Sequence, residues 1–139
     1  MKAGRIGTYY QMTREDKVKE FREAAGKREF AYYEPKDDSI IPCIQEEFME
    51  FCEALDLYEN SFKHGHGIEE AREQLCKEWA DLQYVVSQAA VYYKIPADEA
   101  FDKVHNSNMS KVVDGKVIFR EDGKIMKPDT YKAPDMKGL

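Results

Sequence analysis

The chain has 139 residues and a mass of 16.2 kDa, which suits one domain with a modest core. It is acidic, with 27 Asp and Glu against 21 Lys and Arg, and this argues against a nucleic-acid binder, which would present a basic face. Three cysteines without a Cys-x-x-Cys pair read as reduced packing residues (Cys43, Cys52, Cys76) of a cytoplasmic protein, and neither a signal peptide nor a membrane-spanning apolar run is expected.

Residues 1–12 are polar and irregular, with Thr8-Tyr9-Tyr10 as a short strand or an arm. Thr13 with Asp16 has the spacing of a capping box. It opens a short helix through Val18, Phe21, Ala24 and Ala25, closed near Gly26. Residues 27–36 form a charged linker interleaved with Phe30, Tyr32 and Tyr33, aromatics that pack on the helices or lie against a base. Asp37, Asp38 or Ser39 caps the next helix, and Pro42 is tolerated in its first turn.

Two long helical segments follow, residues 41–62 and 68–93. Ile44, Phe48, Phe51, Leu55, Tyr58 and Phe62 recur at alternating steps of four and three. Leu75, Trp79, Leu82, Val86, Ala89 and Tyr93 repeat the pattern 31 positions later. Two acidic motifs obey the same shift, Glu47-x-x-Glu50 and Glu78-x-x-Asp81. At roughly 100° per residue, Glu47 and Glu78 lie roughly 60° off their stripes, and Glu50 and Asp81 roughly 60° further round.

The connector Lys63-His64-Gly65-His66-Gly67 is short and glycine-rich, which favours an antiparallel hairpin. If the stripes face each other in such a hairpin, the two acidic flanks point to the same side. Glu47 and Asp81 are equidistant from residue 64, and so are Glu50 and Glu78. Four carboxylates should therefore meet at one height. His64 and His66 form a His-x-His pair, but the same register places them far from the acids, at a turn tip where such a pair is usually solvated. Glu69, Glu70 and Glu73 suit the positive end of the second helix. Trp79 lies on the stripe and reads as core, with base stacking as its other role.

Ile95-Pro96-Ala97-Asp98 is a break and restart. The next helix carries Ala100, Phe101, Val104 and Met109 and ends in a polar run from His105 to Lys111. That run is either a fraying, self-capped helix end or a place where Asn108 and Lys111 reach phosphates. The period then changes. Val112-Val113 and Val117-Ile118-Phe119 flank Asp114-Gly115-Lys116, a hairpin-turn signal, and Asp122-Gly123 marks a second turn before Ile125 and Met126. The Pro-rich tail from Lys127 reads as an extended strap whose Tyr131 and Met136 pack, or as a flexible end. The expected fold is all-α: one domain over residues 1–139, an antiparallel helical bundle with residues 111–139 as a small C-terminal β-hairpin and extended tail.

Four converging carboxylates cannot all remain ionised without a compensating cation. Oxygen ligands without thiolate or imidazole suit Mg²⁺ or Mn²⁺, and such a centre keeps open positions for phosphate oxygens. A solvated helix flank explains either motif taken alone. Two motifs in phase and level across a hairpin favour a metal site.

Glu46-Glu47-Phe48-Met49-Glu50 and Glu78-Trp79-Ala80-Asp81 resemble the all-α NTP pyrophosphohydrolase superfamily, which includes MazG-type enzymes, dimeric dUTPases, dCTP pyrophosphatases and phosphoribosyl-ATP pyrophosphohydrolases. Its hallmark is E-E-x-x-E, a spacer and E-x-x-D; the spacer here is residues 51–77, 27 long. The phosphoribosyl-ATP pyrophosphohydrolase-like subgroup also resembles this chain at Val18 to Gly26, at Asn108-Met109-Ser110-Lys111, at Phe119 to Lys124 and at Pro128 to Asp135.

The resemblance implies Mg²⁺-dependent hydrolysis of a nucleoside triphosphate to monophosphate and pyrophosphate, in the service of the nucleotide pool. It implies that Glu47, Glu50, Glu78 and Asp81 hold the metal and that Glu46 is a further ligand or the base that orients water. It implies that Asn108 and Lys111 contact substrate phosphates, and that the protein is a homodimer or homotetramer. A di-iron bundle is disfavoured because neither motif offers Glu-x-x-His, and an isoprenoid-synthase-like site because the chain is short. The remaining alternative is a non-catalytic helical dimer or nucleotide-binding protein of the same fold.

Overall fold

The computed structural model describes residues 11–139, so the strand or arm at Thr8-Tyr9-Tyr10 lies outside the described residues. Within them the chain forms four helices: α1 (Arg14–Ala24), α2 (Ile40–His64), α3 (Ile68–Tyr92) and α4 (Ala97–Met109). Backbone contacts divide the chain into a unit that ends at Lys94 and a second unit, Ile95–Leu139. No helix among the described residues is long and apolar enough to cross a membrane.

α1 begins on the capping box that its sequence predicts. The Asp16 N–H donates to Thr13 Oγ1 (3.1 Å) and the Thr13 N–H to Asp16 Oδ2 (2.9 Å), so two otherwise unpaired donors are satisfied. α2 begins at Ser39 without a side-chain cap. There Asp37 Oδ1 accepts from the Ser39 N–H (3.1 Å) and hydroxyl (2.5 Å), which fixes the turn before the helix instead. α2 ends at Gly65 and α3 starts at Gly67, both with φ near +70°. Only glycine adopts this backbone without a Cβ penalty, so the chain reverses within three residues and the two 25-residue helices run antiparallel.

α3 occupies the middle of the first unit. One face meets α2 along Ala71 and Glu78 opposite Ala54 and Ser61, all buried. The opposite face meets α1, where Ser87 Oγ donates to Glu15 Oε1 (3.0 Å) and Arg22 Nη1 donates to Gln88 Oε1 (3.3 Å). Arg22 is buried, and its guanidinium also reaches the Arg28 carbonyl (3.1 Å), Asp37 Oδ2 (3.9 Å) and the Tyr92 ring (5.6 Å). The linker after α1 is thereby tied to the end of α3, and the Asp37 N–H completes the tie by donating to the Tyr92 hydroxyl (2.8 Å). Of the linker aromatics, Phe30 packs edge-on against Tyr92 (5.9 Å between centroids), whereas Tyr32 and Tyr33 stand exposed.

The three helices thus form a layer one helix thick, in the order α1, α3, α2. The apolar stripes do not meet within it. The α2–α3 seam is turned roughly 60° or more toward the acidic flank, because Ala54, Ser61 and Ala71 let the helices approach there. Phe48 is 55 % exposed, Phe62 57 % and Trp79 47 %. Phe51, Leu55, Leu75, Cys76 and Trp79 line an apolar hollow of about 280 Å³ between the stripes. Cys43 and Cys76 are exposed rather than packed, and Cys52 is half-buried.

The second unit corrects one expectation. Both predicted turns are present, with Asp114 and Gly115 at φ +52° and +74° and Gly123 at +80°. Each carries only a single bridge, Val113 to Lys116 and Phe119 to Ile125, and there is no strand among the described residues. The C-terminal β-hairpin is therefore absent. The two turns sit eight residues apart. The run between them must serve both, and so short a ribbon cannot sustain a ladder. The tail behaves as a strap at its middle: Thr130 Oγ1 donates to the Ser110 carbonyl (2.9 Å), the Lys132 N–H donates to Ser110 Oγ (2.9 Å), and Lys127 lies over the Tyr131 ring (5.0 Å).

Candidate metal centre

The hairpin register brings three of the four expected acids together. One carboxylate oxygen from each of Glu47, Glu50 and Glu78 lies within 4.8 Å of the others. Glu47 and Glu50 stand one turn apart on α2, and Glu78 reaches them from α3. Asp81 is one turn further along α3 but outside this close group, and its Oδ2 instead accepts from Lys77 Nζ at 2.7 Å. Glu46 is exposed beside Glu47. Asn108 and Lys111 belong to the second unit, where Lys111 Nζ donates to Asn108 Oδ1 (3.0 Å).

Burial makes the cluster electrostatically expensive. Glu78 is only 3 % exposed. Its Oε1 accepts from Gln74 and from Lys77 Nζ (3.1 Å), while Oε2 is buried with no hydrogen-bond partner among the described residues. Glu47 Oε2 is likewise buried and unpartnered. Desolvation at the seam raises the Glu47 carboxyl above its ordinary value, and the charges of Glu50, Asp81, Glu78 and Glu46 push it the same way. Glu50 is raised by desolvation and then by Glu78 and Glu46, against a smaller opposing effect of Lys77. A protein leaves two carboxylate oxygens buried and unpaired only at a cost. An all-oxygen set of this kind fits a hard divalent cation, which would satisfy both.

From this cluster a groove of about 770 Å³ runs along the hairpin to its tip. Glu50, Glu78 and Gln74 line one end, Ala54, Ser61 and Ala71 its middle, and His64 and His66 the other. The histidines share the groove with the acids but stand at its far end, as the register implies. Two participants escaped the sequence reading. Gln74 and Lys77 both engage Glu78, and their signals were present as the i, i+4 spacings Gln74 to Glu78 and Lys77 to Asp81.

Residues 15–108 match the family model described as phosphoribosyl-ATP pyrophosphohydrolase. The chain belongs to this family. The match runs from the first turn of α1 almost to the end of α4 and includes all five acids of the two motifs. No curated protein matches the chain. Phosphoribosyl-ATP pyrophosphohydrolases are members of the all-α MazG-like NTP pyrophosphohydrolase superfamily. Membership makes this chain a pyrophosphohydrolase of the nucleotide kind, from a family that is in general metal-dependent. The all-helical architecture and the paired carboxylates across α2 and α3 agree with that assignment.

Proposed function

We propose that the protein is a Mg²⁺-dependent nucleoside triphosphate pyrophosphohydrolase, acting on ribo- or deoxyribonucleotides in the cytoplasm to give the monophosphate and pyrophosphate. The observation that carries this reading is the trio Glu47, Glu50 and Glu78, with two buried carboxylate oxygens that lack a hydrogen-bond partner among the described residues. In it, Glu47, Glu50, Glu78 and Asp81 hold Mg²⁺, for which Mn²⁺ can substitute. The ion supplies neutralisation of phosphate charge and a more acidic water. Glu46 stands exposed at the edge of the cluster, where its carboxylate orients the attacking water or takes its proton. Asn108 and Lys111 donate to substrate phosphates; a lysine ammonium suits oxygen that gains charge as the α–β anhydride breaks.

A second copy of the chain belongs to the same reading. The stripes carrying Phe48 and Phe62 on α2 and Trp79 on α3 leave large apolar side chains about half exposed, and burying them against a second copy gives a closed dimer. A non-catalytic dimer would cover the stripe equally well, so the assay must separate the two. Pyrophosphate release is measured across ribo- and deoxynucleoside triphosphates and phosphoribosyl-ATP, with Mg²⁺, Mn²⁺ or EDTA. Metal-dependent release that leaves the monophosphate is the expected result. Silence from folded, metal-loaded protein overturns the reading in favour of the non-catalytic dimer.

A further inference from the structure

Lys77 is the only cation in ion-pair contact with the acids of the two motifs among the described residues. Its ammonium bridges Glu78 Oε1 (3.1 Å) and Asp81 Oδ2 (2.7 Å). The stem stands 61 % exposed, so the head can leave without unpacking any of the core. The charge is placed unevenly. One side of Glu78 is satisfied, while Glu78 Oε2 and Glu47 Oε2 are not. Asp81, the fourth acid, is held by the lysine and not by the trio.

We propose that Lys77 is the centre's resident counter-ion, and that a divalent cation must displace it to gain Asp81 and the second face of Glu78. The inference rests on the metal-centre reading and deepens it. An ammonium and a divalent ion compete for the same oxygens, and the ammonium also repels the incoming ion. Lys77 therefore sets how much divalent ion is needed to fill the site. It acts as a positioning residue: it holds Asp81 in the metal-free state and releases it in the loaded one.

The test is Mn²⁺ binding by calorimetry to the full chain, wild type against Lys77→Met and Lys77→Arg. Loss of the competitor should tighten binding by about fivefold, and Lys77→Arg, which keeps the charge, should bind like wild type. A second readout needs no variant. Acylation of lysines in wild-type protein, followed by mass spectrometry, should show Lys77 protected without metal and several-fold more reactive at saturating Mn²⁺, with the other lysines unchanged. Equal or weaker binding by folded Lys77→Met, or unchanged Lys77 reactivity at saturation, overturns the proposal and leaves the metal centre standing. Absence of Mn²⁺ binding to wild type, or binding that survives Glu50→Gln with Glu78→Gln, overturns both.

Discussion

Single carboxylates here carry a conflict between stability and chemistry. Glu47 is ionised only against desolvation and against its neighbours' charge. Glu47→Gln should therefore lower turnover on the order of a hundredfold or more, while the metal-free variant melts at the same or a higher temperature than wild type at neutral pH. Pyrophosphate release and thermal unfolding in EDTA check the two halves. The pH dependence follows with a definite sign. Glu47 and Glu50 have folded values raised above the ordinary 4.5, so their contribution to stability is full below that pH and is lost as pH rises through the raised values. Asp37 is lowered from 3.8, chiefly by the Ser39 hydroxyl. Its contribution is present above that pH and is lost as pH falls through its folded value. Denaturant unfolding of metal-free protein should thus show the Glu47→Gln, Glu50→Gln double variant gaining on wild type as pH rises above about 4.5, and the gain should vanish with Mn²⁺ present.

At the scale of the helices, the hairpin was legible and its seam was not. Equal index distances from residue 64 brought Glu50 level with Glu78, and Gly65 and Gly67 announced the reversal. Periodicity then identified the apolar stripe with the contact face. That inference fails in a layer one helix thick, where a stripe can wait for something outside the chain. The better signal was size: the small residues Ala54 and Ser61 on α2, seven positions apart, and Ala71 on α3 lie along the acidic flank. Ala71→Leu should accordingly wedge the seam open. We expect a loss of about 1–3 kcal/mol in denaturant unfolding and weaker Mn²⁺ binding, since the trio draws from both helices. The Asp114-Gly115 turn teaches the complementary lesson. Turn chemistry is local and was read correctly, whereas a strand needs a partner of sufficient length, which two turns so close together do not leave.

For the molecule as a whole, the proposed dimer would bury the exposed apolar stripe. A charge there should prevent it: Phe48→Glu with Phe62→Glu is expected to shift the sedimentation profile from dimer toward monomer, with helix content by circular dichroism largely kept in the concentrated sample. The acids lie on the flank of the same helices, so the monomeric variant should also bind Mn²⁺ less tightly if the neighbouring copy steadies the hairpin.

The layer of three helices has one further consequence. Among the described residues of the first unit, Phe48, Phe62 and Trp79 of the stripes stand about half exposed. Much of the protein's resistance to heat would then be supplied by encounter between chains, and mass action governs that supply. The melting temperature should rise with protein concentration and fall on dilution, and in calorimetric scans at several concentrations the Phe48→Glu, Phe62→Glu variant should be indifferent to both.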